Sequence, residues 1–247
     1  MPAERIAKRL ARAGICSRRE AETMILQRRI SVNGTIITSP ALNVEATDKI
    51  LVDGEPLPKT EMPRLWKYHK PKGLICSHND PQNRRTVFDA IAEQNPHLPR
   101  LISVGRLDLN SEGLLLVTNS GTLARYLELP ATGWVRRYKV RVHGKPSEKM
   151  LRQLHDGIDI DGIHYDRIQV TIEPQQTQNT NYWLSVSLKE GKNREIRRVM
   201  EHIGTPVNRL IRLSYGPFQL GHQKVRECLE IPEKTLKEQF GKKWETF

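Results

Sequence analysis

The sequence predicts an α+β protein: a small helix-and-hairpin unit followed by a larger mixed sheet with flanking helices. Three observations carry that reading. Helical periodicity and strand alternation both occur, but never in the regular succession that builds a doubly wound sheet. Pro56, Pro58 and Pro63 punctuate one stretch and place a boundary near residue 62, giving units 1–62 and 63–247. The chain has 247 residues, enough for one small and one medium-sized core.

Residues 5–13 read as a short helix, with Ile6 and Leu10 on one face and Gly14 as its stop. Ser17-Arg18-Arg19-Glu20 is a capping box, and the helix it opens turns Ala21, Met24 and Ile25 inward. Residues 30–32, the Asn33-Gly34 turn and Ile36-Ile37 form a hairpin, and Asp53-Gly54 after residues 50–52 marks a second tight turn. In the second unit, residues 101–104 and the apolar run 114–117 read as strands, and 122–129 as a helix ended by Pro130. Residues 135–142 alternate, with Tyr138, Val140 and Val142 on one face. Residues 147–155 form a helix capped by Ser147, and 158–172 and 182–188 form further strands. Residues 193–203 are an amphipathic helix with Ile196, Val199, Met200 and Ile203 on one side, ended by Gly204 and Pro206.

The charge balance is strongly basic, 40 Lys+Arg against 28 Asp+Glu, or +12. Such a balance points to a polyanionic partner. No apolar run approaches the ~20 residues needed to span a bilayer. The opening residues Met1 to Arg5 are polar and lack a signal-peptide core, so a cytoplasmic, non-membrane protein is expected. Cys16, Cys76 and Cys228 lie far apart with no CxxC pair, which predicts free thiols and no metal.

Residues 1–34 hold eight basic residues, Arg5, Lys8, Arg9, Arg12, Arg18, Arg19, Arg28 and Arg29, against Glu4, Glu20 and Glu22. Arg18 and Arg19 stand in the first turn of a helix, where cations oppose the macrodipole. A phosphate at that helix start would reverse the sign of the interaction. The stretch Ile6 to Gly14, then Cys16 to Glu22, then Arg29 to Gly34, resembles the small αL-type RNA-binding domain named after a small-subunit ribosomal protein, the S-four-type domain. The resemblance implies RNA contacts at Lys8, Arg9, Arg12, Ser17, Arg18, Arg19 and Arg29.

The most informative stretch is Gly105-Arg106-Leu107-Asp108-Leu109-Asn110-Ser111-Glu112-Gly113, a glycine-bracketed polar loop between two predicted strands. Functional groups concentrate on such loops, although an isolated Arg-x-Asp would be read as an ordinary surface turn. The longer string from Val104 to Asn119 closely resembles the signature of the RsuA/RluB/RluF branch of rRNA pseudouridine synthases. Lys70-Pro71-Lys72-Gly73, Arg137-Tyr138-Lys139-Val140, the run Glu190 to Arg198 and the run Arg209 to Pro217 match in order. The resemblance covers nearly the whole chain. It implies a mixed, largely antiparallel catalytic sheet after the RNA-binding domain.

The reaction so implied detaches a uracil from its ribose, turns it, and rejoins it through carbon 5. Asp108 is then the essential carboxylate, able to meet an electron-poor sugar centre or accept a proton. Arg197 becomes its cationic partner, and Tyr138 the ring placed against the target base. Phosphate contacts are expected of Arg194 and Arg198, and Arg106 fills the space left by a flipped base or holds a phosphate. Which atom Asp108 attacks stays open. No cofactor is expected for an isomerisation. The partner is ribosomal RNA or a pre-ribosomal particle, and the expected state is a monomer. The form of the basic motif leans to the large-subunit (23S) side. A small-subunit (16S) target and a non-catalytic assembly factor are the alternatives. Asp156, Asp159 and Asp161 have the wrong spacing for a calcium loop. Gly191-Lys192 lacks a P-loop, and no dinucleotide fingerprint is present.

Overall fold

The computed structural model describes residues 3–174 and 180–247. Caps and turns build the first unit. β1 (Glu4–Arg5) leads into α1 (Ile6–Arg12), which buries Ile6, Ala7 and Leu10. α2 (Arg18–Leu26) opens on the expected capping box: Glu20 N–H donates to Ser17 Oγ at 3.2 Å, and Ser17 N–H donates to Glu20 Oε2 at 2.6 Å. β2 (Ile30–Val32), β3 (Thr35–Ile36), β4 (Asn43–Val44), β5 (Ile50–Val52) and β6 (Glu55–Pro56) follow. They form a sheet in the order β3-β2-β5-β6, while β4 pairs with β1. Asn33 and Asp53, each followed by glycine, adopt positive φ, as the two tight hairpin turns require. Ile6, Leu10, Ala21, Ile25 and Ile30 are fully buried between helices and sheet.

The second unit comprises β7 (Leu65–Lys70), α3 (Val87–Gln94), β8 (Ile102–Ser103), β9 (Glu112–Thr118), α4 (Gly121–Glu128) and β10 (Arg136–His143). It continues with α5 (Glu148–Asp156), β11 (Ile158–Ile160), β12 (Ile163–Tyr165), β13 (Gln169–Ile172), β14 (Asn181–Leu188) and α6 (Glu195–His202). β15 (Val207–Tyr215), β16 (Phe218–Gln219), β17 (Cys228–Glu230), α7 (Glu233–Phe240) and a terminal 3₁₀ turn (Gly241–Thr246) complete it. The main sheet has nine strands in the order β13-β14-β10-β15-β9-β7-β17, with β16 on β15 and β8 on β9. Its strand pairings are antiparallel except β9 with β15. No helix among the described residues is long and apolar enough to cross a membrane.

Strand alternation gives the sheet two cores. Tyr68, Leu115, Val117, Tyr138, Val140, Leu184, Val186 and Leu210 face one side, where α3, α5 and α6 supply Ile91, Leu154, Val199 and Met200. Leu65, Leu114 and Leu116 face the other, against Leu123 and Leu127 of α4 and Leu236 and Phe240 of α7. Each such side chain contributes about 1.5–3 kcal/mol by burial. The two units touch at Glu20, which accepts from Asn79 Nδ2 at 3.4 Å and lies 3.5 Å from Arg100 Nη2 while capping α2.

Several expectations shift. The helix expected from residue 193 starts at Glu195, because Arg194 adopts a left-handed φ of 52° as its N-cap. The strand expected over 158–172 is a hairpin turning at Asp161-Gly162, then a separate β13. The strand expected over 101–104 contracts to Ile102–Ser103. The core-forming β7 and α3, and the closing β16, β17 and α7, add to the elements expected from the sequence.

The parallel pair β9–β15 constrains Gly113, which stands opposite Arg212. Gly113 has φ +103°, and a Cβ there would sit 2.3 Å from Arg212 O and 2.7 Å from Arg212 N. We expect Gly113→Ala to destabilise the protein by about 3 kcal/mol or more, through strain and a backbone clash that no rotamer relieves. Urea unfolding checks this, and a loss below about 1 kcal/mol would mean that the strand pair yields freely.

Candidate active site

The loop between β8 and β9 is held from several sides. Gly105 N–H donates to Glu128 Oε1 at 2.7 Å, and Gly73 N–H donates to Leu109 O at 2.8 Å. The Cys76 thiol lies 3.4 Å from both the N–H and the carbonyl of Leu107. The strongest clamp is Lys70, the last residue of β7, which has no solvent exposure. Its Nζ donates to Pro71 O at 3.0 Å, Asp108 O at 3.1 Å and Ser111 O at 2.9 Å. Ser111 N–H also donates to Asp108 O at 3.0 Å, closing the turn.

With its backbone fixed, Asp108 carries a half-buried carboxylate over α6. Arg197 Nε lies 3.5 Å from Oδ2, and Arg194 Nη1 lies 3.7 Å from the same oxygen. These are charge contacts longer than good hydrogen bonds, and Arg197 Nε has no hydrogen-bond partner. Arg197 is itself positioned: Nη2 donates to Asn110 O at 3.0 Å and Ser111 Oγ at 3.3 Å, and Nη1 donates to Val207 O at 3.3 Å. Burial pulls its guanidinium below the ordinary value, and the Asp108 charge opposes that shift.

Around Asp108 lies a concave pocket that stands open to solvent. Arg106, Tyr138, Arg194 and Arg197 line it, together with Arg136, Lys192, Glu195, Leu210 and Arg212. Thus Asp108, Tyr138, Arg197, Arg106 and Arg194, which come from separate stretches of the sequence, meet at one site. Arg198 is exposed on α6 and is not among the lining residues.

In the first unit, Lys8, Arg9 and Arg12 gather around Glu4, at 3.5 Å and 3.8 Å for the first two. Ser17 Oγ serves the cap of α2, and Arg29 forms a two-pronged pair with Asp53 at 2.9 and 2.5 Å. Arg18 and Arg19 are exposed at the start of α2.

Comparison with known proteins adds to this geometry. The family described as RNA pseudouridylate synthase matches residues 64–202, and the S4 domain matches residues 4–50. An uncharacterised RNA pseudouridine synthase of Rickettsia bellii is 49% identical, over 95% of this chain and 99% of its own length. The chain belongs to the RNA pseudouridylate synthase family. Another relative, the ribosomal large subunit pseudouridine synthase B of Haemophilus influenzae, is 42% identical over 88% of this chain and 61% of its own. A crystal structure of a pseudouridylate synthase superposes with a TM-score of 0.64 over 94% of this chain and 98% of its own, at 22% identity. That last likeness concerns the fold.

The buried polar members of this pocket hold positions that the motif resemblance does not announce. Arg136 donates to the Lys189 carbonyl, to Glu190 O at 2.7 Å and to Tyr215 Oη at 2.7 Å, tying β10 to the segment before α6. Glu195 accepts from Lys192 N–H at 2.8 Å, and burial pushes its carboxyl up to about 7. Lys70 and Arg212 were present only as members of longer matching runs. One local signal existed: Arg212 alternates with Leu210 in a strand, so a charged side chain falls on an inward position.

Burial lowers the Lys70 ammonium from 10.5 to about 8, against the opposing charges of Asp108 and Glu112. The unfolded chain keeps this proton up to pH 10.5, whereas the fold releases it near 8, so this group makes stability rise with pH between those values. At ~1.4 kcal/mol per pKa unit the full effect is roughly 3 kcal/mol. The stability of wild type minus that of Lys70→Met, followed by urea unfolding, is expected to grow by about that amount from pH 8 to 10.5. A difference that stays flat or shrinks would contradict the buried ammonium.

Proposed function

We propose that this chain converts a uridine of large-subunit (23S) ribosomal RNA to pseudouridine, with Asp108 as the essential carboxylate. The observation that carries this reading is the placing of the Asp108 carboxylate 3.5 Å from Arg197 in the pocket that Tyr138 lines. The similarity to large-subunit synthases supports the target class.

The chemistry follows from the geometry. Tyr138 offers a ring on the pocket face, where a uracil drawn out of the RNA stacks. Arg197 and Arg194 set positive charge beside the Asp108 carboxylate, which faces the sugar as the bond from C1′ to the base breaks. Arg106 and Arg194 are exposed at the pocket edge, which suits them to phosphates or to the space the base vacates. The S4 domain, taken as residues 1–62, holds flanking RNA through Lys8, Arg9, Arg12, Arg18, Arg19 and Arg29, while residues 63–247 carry the catalysis. Arg29 would exchange Asp53 for a phosphate. Arg198 continues the basic track outside the pocket, and Ser17 contributes by holding the start of α2. The protein acts as a cytoplasmic monomer on rRNA or an assembly intermediate.

The test is tritium release from large-subunit rRNA transcripts carrying uridine tritiated at C5. Wild type is expected to release tritium, and Asp108→Asn, nearly isosteric but uncharged, to lose at least about 10³-fold in rate. A fully active Asp108→Asn would remove Asp108 from the chemistry. A wild type that releases nothing from any rRNA fragment would remove the function.

A further inference from the structure

Arg212 is a charged side chain on the inward face of a central strand. It is 2% exposed, and among the described residues it has no ion-pair partner. Its Nε donates to Leu114 O at 2.7 Å, and its Cζ lies 5.4 Å from the centroid of the Tyr215 ring. Its buried Nη2 has no hydrogen-bond partner. The register of β10 and β15 sets Arg212 opposite Tyr138, and both line the pocket with Asp108. Gly113, lacking a side chain, lets the Arg212 backbone approach β9.

An unneutralised buried cation is costly unless a partner arrives. The exposed Arg106 and Arg194 suit phosphates, which stay with the RNA backbone. Arg212 instead stands beside the ring against which the base stacks. Its unpaired donor therefore suits an acceptor on the base, and uracil carries two, O2 and O4.

We infer that Arg212 is a further catalytic residue: Nη2 donates to a carbonyl oxygen of the uracil and stabilises the negative charge that the base gains when detached. This inference rests on the isomerase reading above. The C1′–N1 bond breaks with its electron pair going to the base, where it spreads over N1, O2 and O4. The Asp108 carboxylate meets the electron deficiency of the sugar. After the base turns, its C5 forms the new bond to C1′, the C5 proton leaves to solvent, and N1 takes up a proton. Arg212 keeps its own proton throughout and acts as a preorganised donor and charge.

A leaving-group comparison tests this. Two large-subunit rRNA transcripts are used, one with uridine and one with 5-fluorouridine, whose fluorine makes the detached base a more stable anion. Loss of the original nucleoside is followed by mass spectrometry in single turnover for wild type, Arg212→Gln and Arg212→Lys. Arg212→Gln retains a donor for Leu114 O without the charge. It is expected to slow uridine loss by about 100-fold. Its deficit on 5-fluorouridine is expected to be about tenfold smaller, because less charge stabilisation is needed. Arg212→Lys, which keeps the charge, is expected to be faster than Arg212→Gln on uridine. Equal deficits on the two substrates would show a structural role and overturn the inference, as would an Arg212→Gln rate equal to wild type. If Arg212→Gln does not fold, the same comparison of deficits is read from Arg212→Met, which is also uncharged and keeps an unbranched apolar stem, against wild type. A wild type inactive on both transcripts would overturn the isomerase reading itself.

Discussion

An ammonium group shut away from water must find an acceptor for each of its three N–H bonds. Lys70 finds them in the carbonyls of Pro71, Asp108 and Ser111, which belong to two segments separated in sequence but joined across β7 and β9. This one clamp fixes both ends of the turn that carries Asp108. The Asp108 carbonyl is taken by Lys70 and by the Ser111 N–H, so its backbone has little freedom. Its carboxylate is left at charge-contact distance from Arg197 and Arg194, without a close bond to either. The energetic cost of burying Lys70 shows in an ammonium lowered to about 8, and the return is a fixed backbone beneath the Asp108 carboxylate.

The sheet topology extends that constraint across the site. Tyr138 on β10 and Arg212 on β15 are register partners, and Arg212 meets Gly113 on β9 in the parallel pair. Helix α6 packs Ile196, Val199 and Met200 into the same core that Tyr138 joins, which aims Arg197 back at the loop through Asn110 and Ser111. The Asp108 loop, the Tyr138 strand and the Arg197 helix thus share one packed layer. Interiors this dense transmit displacement, so a misfit at Gly113 or Lys70 would be felt at the carboxylate.

Much of this was readable because it is local. The Ser17 and Ser147 caps, the Asn33-Gly34 turn and the phase of α6 depend on neighbours within a few residues, and the structure has them. The meeting of Asp108, Tyr138 and Arg197 was legible through motif runs, each recognisable in its own stretch. What stayed hidden depends on distant partners. Lys70 in Lys-Pro-Lys-Gly looks like a surface lysine, and only the carbonyls from the Asp108 loop explain its burial. The pairing of Arg29 with Asp53 spans 24 residues. The early end of the helical pattern at Arg194 comes from a left-handed backbone that periodicity does not report. Helix α3 did carry a local sign, the Thr86 and Asp89 capping box, which is as clear as that at Ser17.

The proposed isomerisation of one class of rRNA uridine rests on one carboxylate held by this clamp. It is tested most directly by mapping pseudouridines in the rRNA of a strain lacking this gene, complemented with wild type or Asp108→Asn. The account predicts that at least one large-subunit pseudouridine disappears, returns with wild type, and does not return with Asp108→Asn. An unchanged pseudouridine map in the strain without the gene, or full restoration by Asp108→Asn, would contradict it.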